Sequence, residues 1–408
     1  MNPIHSILIA NRGEIAVRII STAKKTGIKT IAVFAEQDKN ALHVKLADQA
    51  WSLGTGSLQE TYLNGDKLIR IAKNANADAV HPGYGFLSEN SNFAASCESA
   101  GITFLGPPAS AIQTMGNKLE AAKFVSTLGV PLLNVQTGPP EKLLENISKE
   151  DMPVMIKAAS GGGGKGMRLV KKLSELKDML KTTAREAKSY FGDGTIYIEK
   201  FLESPKHIEV QVLCDKYGNC IHLFERECSV QRRHQKIIEE APSPTLSEKQ
   251  RANMTSDAIK IAQAIGYVGA GTVEFLLDNK GNHFFLEMNT RIQVEHPVTE
   301  MITGIDIVEE QINIAQNFPI QHKQKNLNIH GHAIEARIYA ENPMVNFLPS
   351  PGNVKYFKTS KLKNIRIDSG IETYAPISAD YDPLIAKITG WDENRDKAIS
   401  RLKKALYT

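Results

Sequence analysis

Residues 284–296 read Phe-Phe-Leu-Glu-Met-Asn-Thr-Arg-Ile-Gln-Val-Glu-His, a dense run of side chains able to do chemistry. In an extended backbone, alternation sets Glu287, Asn289, Arg291, Gln293 and Glu295 on one face. Met288, Thr290, Ile292, Val294 and His296 then take the other. The preceding Gly-Thr-Val-Glu-Phe-Leu-Leu-Asp (271–278) ends in the turn-rich 279–282, so the two stretches read as a hairpin. Folding about the Lys280–Gly281 bond sets Glu274 opposite Glu287. Two carboxylates about 5 Å apart repel by about 3 kcal/mol at an effective dielectric near 20. Holding them there calls for a cation or a shared proton. Glu274, Glu287 and the carbonyl-bearing Asn289 are hard oxygen donors of the kind that hold Mg²⁺ or Mn²⁺ against phosphates. The bland alternative is an exposed acidic edge. The apolar neighbours Val273, Phe275, Leu276, Phe284, Phe285 and Leu286 favour a buried hairpin and therefore the metal.

The elements that must position this segment follow from the rest of the chain. Its 408 residues suffice for two or three domains, and 42% hydrophobic with 23% charged residues is ordinary for a globular protein. A net charge of +4 is too small at this length to point to nucleic acid, and the sequence contains no apolar run long enough to span a membrane. The amino terminus enters a predicted strand at once, too soon for a signal sequence. Cys97, Cys214, Cys220 and Cys228 form no CxxC pair and no zinc spacing. These features predict a reducing, intracellular setting, the cytoplasm, or the mitochondrial matrix for a eukaryotic chain.

Short apolar strands at 7–10, 30–34, 77–80 and 101–105, with a helix at 15–26, predict a parallel sheet covered on both faces. Only Gly13 stands at the first turn, so the dinucleotide fingerprint is missing. The loop at 81–89 is a candidate ligand loop or simply a tight glycine turn. A helix at 117–128 begins with Lys118. A strand at 154–158 carries Lys157 and runs into four glycines, 161–164. Such a run can form an anion nest, and with a strand following it predicts a hairpin lid over phosphates, not a Walker loop. Residues 196–202, with Glu199 and Lys200, suit either an adenine site or a plain surface strand. His207, Glu209 and Gln211 share one strand face. Arg232, Arg233, His234 and Lys236 are flanked by glutamates with no interleaved aromatic, which favours a small-anion pocket over nucleic acid. A helix at 247–265 precedes the hairpin, and another follows at 307–316. The strand-rich end places Glu335 and Arg337 on one face. The last helix, 394–406, has no trailing cap, so the chain reads as cut inside its final domain.

Five stretches together closely resemble biotin carboxylase: Ile-Ala-Asn-Arg-Gly-Glu-Ile-Ala (9–16), His-Pro-Gly-Tyr-Gly-Phe-Leu-Ser-Glu (81–89), the glycine loop, residues 226–236, and Glu-Met-Asn-Thr-Arg-Ile-Gln-Val-Glu-His-Pro-Val-Thr-Glu (287–300). The resemblance implies mixed α/β and α+β architecture. Its parts are a Rossmann-like (pre-ATP-grasp) domain at 1–112, an ATP-grasp domain at 113–320 with a mobile lid around 130–203, and a strand-rich C-terminal domain at 331–408. It implies an ATP-dependent ligase that carboxylates biotin with bicarbonate through carboxyphosphate. By the same resemblance, Lys118, Lys157, Gly163, Gly164, Glu199, Lys200, Leu202, His207, Gln231 and His234 bind ATP. Glu274, Glu287 and Asn289 hold two Mg²⁺ or Mn²⁺ ions, in agreement with the hairpin argument. Lys236, Arg291, Gln293 and Val294 hold bicarbonate, Glu295 is its base, and Arg337 steadies the biotin oxygen.

The biotin-attachment tetrapeptide Ala-Met-Lys-Met is absent, so biotin is expected free or on a separate carrier. The resemblance implies a biotin carboxyl carrier and a carboxyltransferase as partners, and a homodimer as assembly. The wording of 331–341 and 381–387 leans toward the acyl-CoA carboxylase branch. Two rivals make different predictions: another bicarbonate-using ATP-grasp ligase such as carbamoyl-phosphate synthetase, and a non-catalytic ATP-binding module.

Overall fold

The computed structural model describes residues 3–133, 135–159, 167–359 and 362–407. Gly163 and Gly164 lie outside the described residues, as do the other two glycines of the 161–164 run, while most of the expected lid at about 130–203 is described. The amino-terminal part is a parallel sheet of five strands in the order Gln49–Gly54, Lys29–Ala35, Ser6–Ile9, Ala79–His81, Thr103–Phe104. Period-two alternation sends Ile7 and Ile9 into one core, with Ile15 and Ile19 of the helix Gly13–Lys25. Leu8, Val33 and Val80 enter a second core on the other face, with Leu68 and Ile71 of the helix Gly65–Asn74. Both faces are buried, as a parallel sheet requires. The edge strand Gln49–Gly54 has no clear signature in the sequence, because its alternate residues are partly exposed.

The large sheet is antiparallel and has eight strands, ordered His283–Asn289, Gly269–Leu277, Lys206–Cys214, Cys220–Arg232, Gln235–Ala241, His332–Tyr339, Leu384–Asp392, Ile365–Ser369. The strand-rich end of the chain therefore continues the sheet that carries the acidic hairpin, joined where Gln235–Ala241 pairs with His332–Tyr339. A separate four-stranded sheet (Val135–Thr137, Ile196–Lys200, Val154–Ala158, Met167–Val170) packs on the helix Leu173–Phe191 and has its own core, including Ile156, Ile198, Leu176 and Leu180. The helix Lys118–Ser126 starts where Asn117 Oδ1 accepts the Leu119 and Glu120 amides at 3.0 and 3.1 Å, which fixes Lys118 in its first turn.

Glu274 does pair with Glu287, although not by the symmetric fold expected. Near the turn the register is Leu277–His283, Leu276–Phe284 and Phe275–Phe285; a bulge at Leu286 then shifts it by one residue. The turn is pinned by Asp278 Oδ1, which accepts the Lys280 and Asn282 amides, with Gly281 at φ +85°. A second expectation fails outright. The strand stops at Asn289, so Arg291, Gln293 and Glu295 do not share a strand face with Glu287. Ile292 is driven into the core, and Glu295 stands immediately before the helix His296–Thr303, whose first turn contains Pro297, without a side-chain capping bond. A third correction concerns cysteine. Cys214 and Cys220 face each other across the Lys206–Cys214/Cys220–Arg232 hairpin and are disulfide-bonded, while Cys97 and Cys228 are free and buried. Strand pairing creates that proximity, and no spacing motif announces it. No helix among the described residues is long and apolar enough to cross a membrane.

Candidate active site

The site is built where the hairpin, the strands Lys206–Cys214, Cys220–Arg232 and Gln235–Ala241, and the coil at 290–295 converge. Lys236 lies at its centre. Its ammonium donates to Glu274 Oε1 at 2.9 Å, to Glu295 Oε1 at 2.7 Å, and to Glu209 Oε2. Against the opposing effect of burial, Glu209, Glu274 and Glu295 hold the Lys236 pKa well above the ordinary lysine range. Burial alone pushes the Glu274 and Glu295 pKa values up. Lys236 with His207 for Glu274, and Lys236 with Arg337 and Arg226 for Glu295, overcome that push and hold both values down. Both carboxylates are thus ionised at neutral pH.

Arg226 opens the 226–236 stretch, but the sequence assigns it no role here. It is fully buried, and five donor contacts satisfy it: Nε to Glu209, Nη1 to Gln211 and Thr299, and Nη2 to Thr272 and Gln293. Through Gln293, whose Nε2 donates to Glu274 Oε1 at 2.6 Å, it ties the coil to the hairpin. Alternation along 207–211 and 272–274 is the available clue, since His207, Glu209, Gln211, Thr272 and Glu274 all point to this side.

The opposed glutamates are each met by a basic side chain. His207 and Lys236 contact Glu274, and Lys118 Nζ lies 3.4 Å from Glu287, which is half-buried. Asn289 donates to Glu274 Oε1 at 2.7 Å and accepts from Arg291 Nη2 at 2.8 Å. Arg291 Nε in turn reaches Glu89 at 2.9 Å, so the 81–89 loop anchors the coil. Nothing in the sequence assigns Glu89 that task. Val294 is held by its carbonyl, which accepts from the buried Lys387 Nζ at 2.7 Å. Arg337 donates through Nε to Glu239 at 2.5 Å and through Nη2 to Glu295 at 3.0 Å. Glu295 is therefore gripped between two cations.

The expected nucleotide residues fall into two groups. Lys157 and Glu199 form a buried ion pair on the four-stranded sheet. Glu199, Tyr197 and Lys118 line a cleft against Leu133, Phe285 and Leu286. Gln231 bonds His207 Nδ1 at 3.3 Å. Lys200 is exposed and Leu202 half-buried at the end of the strand Ile196–Lys200. His234 sits exposed in the turn after Arg232 with φ +67°. Among the described residues, no hydrogen bond or ion pair ties Lys200, Leu202 or His234 to the cluster. Arg232 is turned away as well, paired with Glu341 and stacked 4.0 Å over the Phe347 ring, so the basic run does not form one patch.

Glu274, Glu287 and Asn289 carry donors of the type a hard divalent cation takes, although His207 and Lys236 meet the two Glu274 oxygens and Arg291 meets Asn289 Oδ1. All three offer oxygen, they are adjacent across one register, and Glu287 keeps a half-exposed carboxylate. A metal among Glu209, Glu274 and Glu295 does not fit, because the Lys236 ammonium fills that space.

Comparison with known proteins points the same way. Family models match for "Biotin carboxylase, N-terminal domain" over residues 3–112 and "Biotin carboxylase C-terminal domain" over 335–408, flanking "Carbamoyl-phosphate synthase L chain, ATP binding domain" over 117–323. Biotin carboxylase 1 of Bacillus subtilis is 48% identical over 99% of this chain and 90% of its own length. The chain belongs to the biotin carboxylase family. The alpha subunit of mitochondrial methylcrotonoyl-CoA carboxylase from Dictyostelium discoideum is 50% identical over 100% of the chain, which spans only 59% of that longer protein. A biotin carboxylase complex from Campylobacter jejuni superposes with a TM-score of 0.96 at 45% identity, covering 99% of this chain and 91% of that one. The biotin carboxylase domain dimer of Hydrogenobacter thermophilus 2-oxoglutarate carboxylase, solved with MgADP and bicarbonate, gives 0.95 at 45% identity, covering 99% and 90%. The ATP-grasp fold expected from the sequence is thereby shown. Biotin carboxylase models on both sides of the central one set aside the carbamoyl-phosphate synthetase alternative.

Proposed function

We propose that this chain is an ATP-dependent ligase that carboxylates biotin, using ATP and bicarbonate and releasing ADP and phosphate. The observation that carries this reading is the Glu295 carboxylate, buried and ionised between Lys236 and Arg337, one coil away from the opposed Glu274–Glu287 pair. Bicarbonate is a poor nucleophile. Lys236, Arg291, Gln293 and the Val294 backbone would hold it, and Glu295 would accept its proton. Cations that keep Glu295 ionised also make it a weak base. Binding of the bicarbonate anion divides their attraction, which raises the proton affinity of Glu295 when the proton must move. Arg337 would donate to the developing negative charge on the biotin ureido oxygen.

ATP is read as lying in the cleft between the two antiparallel sheets, with Lys118, Lys157, Glu199, Lys200, Leu202, His207, Gln231 and His234 around it and Gly163 and Gly164 in the covering loop. Glu274, Glu287 and Asn289 would hold two Mg²⁺ or Mn²⁺ ions, which neutralise charge on the phosphoryl oxygens. Lys200 and His234 are exposed here, so their roles require the lid at about 130–203 to close. Residues 1–112, 113–320 and 331–408 serve as the three units of the enzyme.

The reading extends to a biotin carrier and a carboxyltransferase as partners, a homodimer, and a cytoplasmic or matrix location. The acyl-CoA branch is favoured by the methylcrotonoyl-CoA carboxylase relative. A pyruvate carboxylase component from Methanothermobacter thermautotrophicus, 48% identical over 98% of this chain, represents the competing branch. Transfer to carriers of each type separates the two. The functional test is ADP release from Mg-ATP and bicarbonate with and without free biotin. Stimulation by biotin is expected. ATP binding with no turnover under either condition contradicts the enzymatic reading and leaves a binding module.

A further inference from the structure

Behind Arg337 lies a feature that the proposed reaction does not use. Glu239 and Glu335 are directly opposed in the register between Gln235–Ala241 and His332–Tyr339, and neither has any solvent exposure. Each has one oxygen in use. Glu239 Oε1 accepts from Arg337 Nε at 2.5 Å, and Glu335 Oε2 accepts from Thr389 Oγ1 at 2.7 Å. Their other oxygens, Glu239 Oε2 and Glu335 Oε1, are buried without a donor. Two ionised carboxylates can only accept hydrogen bonds, and opposed side chains in a sheet are about 4.5–5.5 Å apart at Cβ. One proton held between the two side chains would supply the donor that both orphaned oxygens lack.

We propose that Glu239 and Glu335 share one proton and act as a positioning pair for Arg337, a carboxylic acid–carboxylate unit carrying one negative charge behind the guanidinium. This deepens the proposed biotin carboxylation and rests on it for its catalytic consequence.

The surrounding charges support one proton rather than none. Glu239 faces Arg337, Glu295 before the helix His296–Thr303, Cys228 on the strand Cys220–Arg232, and Lys236 on its own strand. Arg337 is already divided between Glu239 and Glu295. Glu335 faces Lys387 and Thr389 on Leu384–Asp392 and Asp368 on Ile365–Ser369. Lys387 is itself committed to the Val294 carbonyl at 2.7 Å and to Glu14 at 3.2 Å. Burial raises both acids, Glu239 to about 7 and Glu335 to about 8. With one charge in the pair, Arg337 is balanced between Glu239 and Glu295. Loss of the shared proton adds a second negative charge behind the guanidinium and draws it away from Glu295 and from the substrate.

The test uses the whole chain with Glu335→Gln, Glu239→Gln and Glu335→Ala. First, infrared difference spectra of the protein without substrates are taken at about pH 6.5, where an ordinary glutamate is ionised. The wild-type minus Glu335→Gln spectrum should contain the C=O stretch of a carboxylic acid, and Glu239→Gln should remove the same band. Second, biotin-stimulated ADP release is followed against pH. Glu335→Ala should lower kcat/KM for biotin. Glu335→Gln, whose amide N–H replaces the shared proton at every pH, should recover most of that loss and move the alkaline limb upward by about one pH unit or more. Absence of the carboxylic acid band overturns the shared proton even if biotin stimulation is intact. The band together with no biotin stimulation in any form upholds the proton pair and overturns the functional reading on which its role rests. The band with an unmoved alkaline limb overturns the positioning role.

Discussion

Replacing Lys236 by Met keeps the aliphatic stem and removes the one charge that three buried carboxylates share. In the native chain the ammonium contacts Glu274 at 2.9 Å, Glu295 at 2.7 Å, and Glu209, and none of the three glutamates is appreciably exposed. Removing one partner of a buried ion pair costs about 3–5 kcal/mol, because the remaining charge is left in a low-dielectric setting. Arg226 still serves Glu209, His207 still serves Glu274, and Arg337 still serves Glu295, so the loss belongs within that range and not at three times it. The pH dependence has a definite sign. Glu274 and Glu295 have depressed pKa values in the native chain, so their stabilising contribution is present above the unfolded value of about 4.5 and is lost as pH falls. In Lys236→Met the buried carboxylates are pushed up instead, and the folded form loses stability as pH rises through their raised values. The gap between variant and native chain therefore widens with pH. Urea unfolding followed by far-ultraviolet circular dichroism reads this out. With an m-value of about 3 kcal/mol/M, the midpoint at about pH 8 should fall by about 1–2 M and by less at about pH 5.5. A fall below about 0.3 M at pH 8, or equal falls at both pH values, refutes the view that Lys236 is the charge centre of the site.

Two further outcomes follow from particular contacts. A Cβ on Gly370 would sit 2.5 Å from the Glu14 amide nitrogen and 2.6 Å from the Gly13 carbonyl carbon, both backbone atoms. Gly370→Ala should therefore cost about 1–3 kcal/mol by forcing the end of the strand Ile365–Ser369 off the first helix, and an unchanged urea midpoint argues against that packing. Glu287→Gln removes a proposed metal ligand at a half-exposed position, so it should change stability by less than about 0.5 kcal/mol. It should also raise the Mg²⁺ concentration needed for half-maximal ADP release by about tenfold or more, and an unchanged Mg²⁺ requirement removes Glu287 from the metal site.

Local pattern made much of this legible. Strong alternation and turn residues located the hairpin, and the Glu274–Glu287 pairing is real even though the bulge at Leu286 replaces the expected symmetry. Alternation misled at 290–295, where burial of Ile292 and the start of a proline-containing helix overrule the extended backbone. Residues that act through long-range contacts were the hardest to assign. Arg226 gains its meaning from Glu209, Gln211, Thr272, Gln293 and Thr299 on other segments, and Glu89 from Arg291 and the Thr290 amide, far along the chain. The Cys214–Cys220 pairing depends on strand register in the same way.

The most direct measurement of the central claim is transfer of labelled bicarbonate carbon into free biotin by this chain, compared with Glu295→Gln. The account predicts acid-labile label in biotin that depends on Mg-ATP in the native chain. In Glu295→Gln, which keeps the shape but cannot accept the proton, the label should fall by at least about 100-fold while ATP binding persists. Labelled carboxybiotin formed at an undiminished rate by Glu295→Gln would contradict the role given to Glu295. Its absence from a native chain that binds ATP would contradict the proposed function itself.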